Sequence, residues 1–314
     1  MPASRALPLA ALGGLVAALL FGAIVTGTVG GGMLFWMAPL PLFVVGLRLG
    51  TKAIALAGLI GTVLLGAAEP ALGFGFAVTA ALPVLLLSWL ALSQPRTQVA
   101  GRLVLALGGI ALVAFAIAYA VAAEQEGGLQ GVATRLAQMG VDQLVAFFNR
   151  IVPGALQPSD IPSEQVQQAA AGLPGWFAAF WVSLILGGNG ILAMGVMPRI
   201  GGALIAAPAM ASIAVPRVVS LALMAALLAA YAGQGEVAFI GTNLVEILSV
   251  PLLFVGLGVV HARLAKHPAR AMLLTAFYGV FFVFAIRLIV ALGVIEQWVG
   301  LRRRFIPAPR QGEE

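Results

Sequence analysis

Cysteine is absent from this 314-residue chain, and charged residues are scarce. Without cysteine the chain has no disulfides, no thiolate metal ligands and no cysteine nucleophile. Charged residues make up 9% of the sequence, whereas soluble domains carry roughly 25%. Hydrophobic residues make up 61%. These charged side chains are too few to cover a protein surface exposed to water. The apolar side chains must therefore face lipid or one another.

Recognisable catalytic motifs are also missing. The sequence has no pair of catalytic carboxylates, no serine nucleophile elbow and no zinc-protease helix. The two histidines, His261 and His267, share one charged segment that offers no further metal ligands. The glycine-rich run at 26–32 lacks the Lys-Ser/Thr ending and the preceding strand of a phosphate-binding loop. We therefore expect no enzymatic activity, no metal site and no cofactor.

Long apolar stretches fill most of the chain. A membrane-spanning helix needs about 20 apolar residues. Nearly uncharged stretches lie at 7–27, 33–49, 53–68, 72–92, 102–123, 174–197, 216–232, 238–262 and 271–294. The second and third are short, and they would form a tight hairpin or a partly re-entrant pair. The pattern predicts an all-α, polytopic membrane helix bundle with eight or nine transmembrane helices.

The charges between these stretches alternate in sign. One side carries only basic residues, namely Arg5, Arg48, Lys52, Arg96, Arg102, Arg199, Arg217, Arg263, Lys266 and Arg270. The other side is mostly acidic, with Glu69, Glu124, Glu126, Asp142, Asp160, Glu164 and Glu236 against Arg135 and Arg150. The positive-inside rule makes the first side, and with it the N-terminus, cytoplasmic. Because the basic residues are scattered through loops, we expect contacts with lipid headgroups and none with nucleic acid.

The tail leaves the number of crossings open. Nine crossings would place it outside, yet it carries Arg302, Arg303, Arg304 and Arg310. Basic residues at a membrane edge prefer the cytoplasm, so an even number of crossings suits the tail better. The first stretch follows a charged start and resembles a signal peptide, but further spans follow at once. We expect it to remain as an uncleaved signal-anchor helix.

The predicted organisation has four parts. They are an N-terminal membrane bundle of about five spans at 1–123, a non-cytoplasmic amphipathic insertion at 124–173, a C-terminal bundle of about four spans at 174–296, and an Arg-rich tail at 297–314. A Gly- and Pro-broken stretch at 199–215 is predicted as a cytoplasmic surface segment.

The insertion contains the only long polar region. Apolar residues recur there at near-helical spacing: Val132, Leu136, Met139, Leu144, Phe147 and Ile151. This predicts an amphipathic helix that ends before Pro153, and a second short helix from Asp160 to a stop at Gly172-Leu173-Pro174. The first helix lies in the outer headgroup layer, or it forms a lid over an outward-facing cavity; the sequence leaves both open.

Two ionisable residues fall inside predicted spans. Glu246 and Arg287 lie about eight and seven residues from the outer ends of antiparallel spans, which places them at nearly the same depth. Asn243 and Ser249 share the helix face of Glu246. These residues form either a buried ion pair that fixes two helices or a polar patch that faces a substrate or proton path, unless Arg287 extends to the interface.

Glycine-rich features mark two further places. Asn189 lies in the run Gly187-Gly-Asn-Gly190, which either opens the backbone towards a cavity or allows close helix packing. The first span carries a small residue at every fourth position, comprising Ala10, Gly14, Ala18, Gly22 and Thr26. Such a stripe allows another helix to approach closely, either within the chain or from a partner subunit.

Two motifs suggest a family. The segment Ala38-Pro-Leu-Pro-Leu-Phe-Val-Val-Gly-Leu-Arg-Leu-Gly50 and the ending Gly293-Val-Ile-Glu-Gln-Trp-Val-Gly-Leu-Arg-Arg-Arg304 resemble the uncharacterised YybS-like family of bacterial membrane proteins. That family is distantly similar to the substrate-binding S components of energy-coupling-factor transporters. The resemblance implies a multi-pass protein of the bacterial inner membrane that binds a small molecule and has no ATPase of its own. It also implies that the stripe of the first span docks a transmembrane partner.

Two functions follow as expectations. The first is a small-molecule binding or transport subunit, whose ligand site would draw on Asn189, Asn243, Glu246 and Arg287. The second is a non-transport scaffold or assembly factor for envelope proteins, which would use the amphipathic insertion and the tail as contact surfaces. The sequence does not name the ligand.

Overall fold

The chain folds into α-helices joined by short turns. A computed structural model describes residues 3–95 and 97–304, with the side chains at 3–5, 158, 281 and 283 excepted. Arg96 and Arg310, assigned above to the basic side and the tail, lie outside the described residues, as does the side chain of Arg5. In chain order the helices are α1 (Ala3–Gly22), α2 (Val29–Trp36), α3 (Pro39–Leu49), α4 (Thr51–Ala68), α5 (Pro70–Phe76), α6 (Leu82–Ser93), α7 (Val99–Ala122), α8 (Gly128–Ile151), α9 (Ser163–Phe180), α10 (Gly188–Val196), α11 (Val218–Ala232), α12 (Glu236–Leu264), α13 (Arg270–Ala276) and α14 (Phe282–Val299).

The all-α, polytopic prediction is confirmed, with seven or eight candidate spans. Over the described residues, seven helical stretches are long and apolar enough to cross a membrane: Ala6–Thr26, Val29–Leu49, Thr51–Ala68, Pro70–Ser93, Val99–Ala122, Ser163–Arg199 and Glu236–Leu264. An eighth is counted if Arg270–Val280 and Phe284–Val299, which are bent by 116° relative to each other, form one span. A ninth would need Val218–Ala232, whose 15 residues rise only about 22 Å.

The helices form two compact units that interleave along the chain. The first unit comprises Met1–Leu107 and Trp181–Ala214, and the second comprises Gly108–Phe180 and Val215–Glu314. The consecutive division predicted above separates the chain at 123 and 173 instead. Two of the spans, Val99–Ala122 and Ser163–Arg199, have their first residues in one unit and their last residues in the other.

Small residues bring the helices of the first unit close together. Ala10 and Ala18 are 1% and 5% exposed, and a side chain at Gly14 would clash with the backbone carbonyl of Ala57 in α4. The stripe of α1 is therefore covered by α4 within the unit, whereas Gly22, at its end, contacts only Leu65 at ordinary distance. Ala10, Gly14 and Ala18 therefore leave no free surface for the partner docking that the resemblance implied, whereas Gly22 is half-buried and Thr26 is exposed.

Three spans contain a short π-helical segment. These segments are Ala77–Ala81 between α5 and α6, Trp181–Gly187 between α9 and α10, and Phe277–Phe281 between α13 and α14. Two of them meet in the first unit, where the indole Nε1 of Trp181 donates a hydrogen bond to the carbonyl of Thr79 at 2.9 Å. π-Helical turns loosen the helical hydrogen-bond ladder and occur frequently at functional sites.

The second unit is built around α12. This helix contacts α9, α11 and α14, and its residues from Val250 to Val259 are all buried. Glycine makes the close approaches, because a side chain at Gly241 would clash with Ala229 and Ala230 in α11, and one at Gly293 with the Leu252 carbonyl. Without a side chain at the crossing point, two helix backbones can touch directly.

The insertion forms the predicted amphipathic helix and a second helix that continues into the membrane. α8 covers Gly128–Ile151, as the apolar periodicity indicated. The predicted second helix does not stop at Pro174: α9 begins at Ser163 and continues through that proline to Phe180. Asp160 is not its cap, because its carboxylate accepts the N–H of Gln157 at 2.7 Å. The segment 199–215 contains no long helix, as expected.

Gly14→Ala tests the close packing of α1 on α4. The added methyl group would meet the Ala57 backbone. We expect this overpacking to lower the free energy of unfolding by about 1–3 kcal/mol, and the variant to unfold at a lower temperature in detergent. Gly32→Ala is the matched control, because no atom lies within 4 Å of the position that its side chain would occupy. Equal melting temperatures for the two variants would contradict this contact.

Candidate functional site

The predicted ligand-binding residues fall in different units. Asn189 belongs to the first unit, whereas Asn243, Glu246 and Arg287 belong to the second. Within the second unit the structure joins Glu246 to Arg287, while Asn243 contacts a different helix. No group of three or more His, Asp or Glu side chains in the described part of the chain is arranged to hold a metal ion.

Asn189 connects two interrupted spans of the first unit. Its Nδ2 donates to the carbonyl of Trp36 at 2.8 Å and to that of Ile185 at 2.7 Å. Trp36 ends α2, and the N–H of Leu40, its usual helical donor, bonds to Met37 instead. Ile185 lies in the π-helical segment one turn before Asn189. The amide therefore donates to backbone acceptors at both helix breaks.

The carbonyl oxygen of the same side chain finds no donor. Asn189 is 5% exposed, and its Oδ1 has no hydrogen-bond partner among the described residues. Reversing the amide would not help, because it would point Oδ1 at two carbonyl oxygens. Leaving a buried polar group unsatisfied costs about 1–3 kcal/mol.

Aromatic rings and hydroxyl groups lie near this junction. Phe35 precedes Trp36, and its ring contacts those of Trp181 and Phe21, with centroids 5.5 and 4.8 Å apart. The turn that leads into α2 carries two hydroxyl groups, since Thr26 and Thr28 hydrogen-bond to each other at 2.9 Å. Phe35 thus links the aromatic rings of this unit to the end of α2, where Asn189 bonds to Trp36.

Asn243, by contrast, uses its whole amide within the second unit. Its Oδ1 accepts the N–H of Gly175 at 2.6 Å, and its Nδ2 donates to the carbonyls of Ala171 and Phe239, each at 2.8 Å. Gly175 follows Pro174, which has no N–H and weakens α9 at this turn. The side chain bridges the i and i+4 backbone groups around the proline.

A glycine makes this bridge possible. A side chain at Gly175 would clash with the backbone of Asn243, so only glycine allows α12 to come close enough for the amide to enter α9. Asn243 itself has no exposed surface. The role that its contacts support is structural, and they explain why α9 continues through Pro174.

Glu246 and Arg287 form an ion pair inside the second unit. The Arg287 Nη2 lies 2.5 Å from the Glu246 Oε1, and the side chains are 67% and 18% exposed, respectively. The two residues pair, as one of the sequence alternatives had them, although Arg287 lies after the 116° bend and not in a straight span. The pair is not fully buried, however, because Arg287 extends along the outer surface of α14. Ser249 bonds to the carbonyl of Val245 in its own helix.

Some polar features could not be found from sequence patterns. Ser88 is fully buried with an unpaired hydroxyl, and Gln297 has an unpaired amide oxygen. Single polar residues in apolar helices are common, so neither gives a distinctive signal. The Trp181 indole bond to Thr79 could not be foreseen, because it depends on where the spans lose regular α-helical geometry.

Asn243→Ala should destabilise the second unit. The change leaves Gly175 N–H and the Ala171 carbonyl without the bridging amide, at a cost of about 1–3 kcal/mol. Thermal unfolding in detergent should show a clear fall in melting temperature. Thr242→Ala is the control, because Thr242 bonds only to Ala238 of its own helix, and its change should stay within about 0.5 kcal/mol. A larger loss for Thr242→Ala would contradict the bridge.

Charge reversal tests the ion pair. Glu246→Arg or Arg287→Glu alone places two like charges together in a span, so we expect a lower yield of folded protein from each. The double variant restores an opposite-charge pair and should recover most of the yield. Size-exclusion profiles after extraction from the membrane measure this. A double variant no better than the worse single variant would show that the contact does not stabilise the fold.

Comparison with known proteins identifies the family and nothing beyond it. Residues 15–296 match the model of the family DUF2232, which is described as a predicted membrane protein. Neither the curated proteins nor the solved structures contain a match. The matched range includes the second part of α1, all of α2 to α13 and most of α14, and thus Asn189, Asn243, Glu246 and Arg287. The chain is a multi-pass membrane protein and belongs to the DUF2232 family.

Proposed function

We propose that this protein is a small-molecule binding or transport subunit of the bacterial inner membrane, without enzymatic activity or an ATPase of its own. The observation that carries the proposal is the buried Asn189 Oδ1, which lacks a donor among the described residues. Ser88 and Gln297 also carry a buried unpaired oxygen, but among these three described residues only Asn189 bonds to the backbone at two breaks in spans. A bound ligand supplies the missing donor.

The chemistry of Asn189 limits the class of ligand. Both N–H groups of the amide are engaged with backbone carbonyls, so the side chain offers only an acceptor. The ligand must therefore carry a hydroxyl, amide or amine hydrogen. No basic side chain contributes to the site as described, so a neutral molecule suits it better than an anion.

The neighbouring rings favour a ligand with flat apolar surface. Phe21 and Phe76 are 5% and 0% exposed, and with Phe35 and Trp181 they form a continuous aromatic cluster. Aromatic side chains provide large contact areas with defined stacking geometry. The π-helical turns at Ala77–Ala81 and Trp181–Gly187 add backbone that adjusts more easily than a regular helix.

The proposal also includes the orientation of the chain in the membrane. The basic residues of one side place the N-terminus in the cytoplasm. A subunit without a nucleotide-binding motif would depend on a transmembrane partner or on an ion gradient for energy. Because the stripe of α1 is covered by α4, such a partner would dock elsewhere.

A scaffold for envelope proteins is the second candidate, and α8 favours it. Its large apolar side chains Leu136, Met139, Phe147 and Ile151 are 51–64% exposed. They form one face of the helix, while Val145 on the opposite face is buried. This exposed apolar face would contact a partner protein in a scaffold, or the outer leaflet in a transport subunit.

Mass spectrometry of the protein extracted from its own membrane tests the proposal. We expect the wild-type protein to retain a small molecule with a hydrogen-bond donor, in near-stoichiometric amount. Asn189→Ser replaces the amide oxygen with a hydroxyl closer to the backbone, which would not reach the ligand's donor, so retention should fall about tenfold, which corresponds to about 1.4 kcal/mol.

Ser88→Ala provides the matched control. Ser88 is also buried in the first unit with an unpaired oxygen, but its hydroxyl is not joined to a break in a span. This variant should keep the ligand and be as stable as wild type or slightly more stable. Wild-type protein that carries no small molecule, and co-purifies with envelope proteins, would favour the scaffold instead.

A further inference from the structure

The two ends of the second unit can be told apart from α11 and α12. These helices are joined by a tight turn at 233–235 and pack closely where Gly241 meets Ala229 and Ala230. They therefore run antiparallel. The start of α11 and the end of α12 lie at one end of the unit, and the turn lies at the other.

The end of α14 lies beside the start of α11. Gln297 Nε2 donates to the carbonyls of Val215 and Pro216, each at 3.2 Å, and Arg217 Nε donates to the Gln297 carbonyl at 3.1 Å. The chain enters α13 from the end of α12, which is at the same end of the unit. If α13 and α14 crossed the membrane from there, α14 would end near the turn at 233–235. It ends instead beside the start of α11, at the end of the unit from which α13 begins.

The bend between α13 and α14 explains why α14 ends at the same end of the unit at which α13 begins. The axes of Arg270–Val280 and Phe284–Val299 differ by 116°, so the second helix does not continue the direction of the first. α14 then crosses α12, where its Ile289 carbonyl meets Gly256 and its Gly293 meets Leu252. At about 1.5 Å per residue, Leu252 and Gly256 lie about 24 and 30 Å from Glu236, near the far edge of a hydrocarbon core about 30 Å thick.

Polar bonds define the end of α14. Gly300 has a positive φ of 67° and donates its N–H to the Glu296 carbonyl, which closes the helix. The Glu296 carboxylate accepts the backbone N–H of Arg302 at 3.1 Å and its Nε at 2.8 Å. These contacts hold the following residues, Arg303 and Arg304, beside α12 with exposed side chains.

Four exposed aromatic and basic residues therefore gather around the end of α14, namely Arg217, Trp298, Arg303 and Arg304. Trp298 is 51% exposed, and the Arg217 guanidinium lies over its ring, 5.4 Å from the centroid. Tryptophan is enriched at membrane–water interfaces, where an apolar ring meets polar headgroups. Each basic residue near an anionic leaflet contributes about 1 kcal/mol of attraction.

We propose that Arg270–Val299 enters the membrane and returns to the same side, and that the Arg217, Trp298, Arg303 and Arg304 surface binds the headgroups of anionic phospholipids there. Within the second unit α11, although only 15 residues long, and α12 then cross the membrane in opposite directions, and Arg270–Val299 adds no crossing. Arg302, Arg303 and Arg304 then lie on the side of Arg263, Lys266 and Arg270. This arrangement removes the conflict between nine crossings and an Arg-rich tail.

The absence of native cysteine makes the topology directly testable. Lys266→Cys, Arg304→Cys and Glu126→Cys each introduce the single thiol of the chain, at exposed positions. A membrane-impermeant maleimide is applied to intact cells and to permeabilised cells. We expect the thiols at 266 and 304 to label under the same condition, and the thiol at 126 under the opposite one. Labelling of 304 together with 126 would overturn the returning helix.

Lipid titration followed by native mass spectrometry tests the surface. Purified protein is titrated with phosphatidylglycerol or phosphatidylcholine, and Arg303→Gln/Arg304→Gln is compared with Arg135→Gln/Arg150→Gln. Removing two charges from the surface should weaken phosphatidylglycerol binding about tenfold or more and leave phosphatidylcholine unchanged. The control pair should retain binding. Equal weakening in both variants, or none in either, would overturn the headgroup site. Equal melting temperatures of the two variants exclude unfolding as the cause.

Discussion

The need to satisfy backbone hydrogen bonds in hydrocarbon is the constraint on which this structure depends. Apolar lipid offers no donor or acceptor, so every break in a spanning helix must find a partner within the protein. Spans of this chain are interrupted at Pro39, at Pro174 and at π-helical turns. Asn189 and Asn243 insert side-chain amides at two of these interruptions. Their geometry allows an otherwise apolar chain to contain irregular helices.

The two asparagines differ in whether their side-chain oxygen has a hydrogen-bond donor. Asn243 joins α12 to α9, and both sides of its amide are bonded to backbone. Asn189 uses its nitrogen in the same way, but its oxygen remains buried and unpaired among the described residues. A residue that only repairs a helix would be expected to resemble Asn243. The unpaired oxygen of Asn189 is therefore the feature on which the proposed binding function depends.

Sequence reasoning reached the fold class, α8 and the Glu246–Arg287 pair, because each depends on hydropathy or on the rise of a helix. It failed where tertiary contacts override local preference. Pro174 is a reasonable helix stop in isolation, but α9 continues through it, and the amide of Asn243 bonds to the backbone on either side of the proline. The count of nine spans treated 271–294 as straight, since no local signal marks its 116° bend. The free oxygen of Asn189 depends on Trp36, 153 residues away.

The most direct test of a ligand at Asn189 is a high-resolution cryo-electron microscopy structure in membrane lipid from the native source. The proposed binding function predicts density for a small organic molecule with a donor atom about 2.7–3.2 Å from Asn189 Oδ1, in contact with the neighbouring aromatic rings. A site that holds only an ordered water, or an amide oxygen bonded to a protein donor, would contradict the account and leave Asn189 with the same structural role as Asn243.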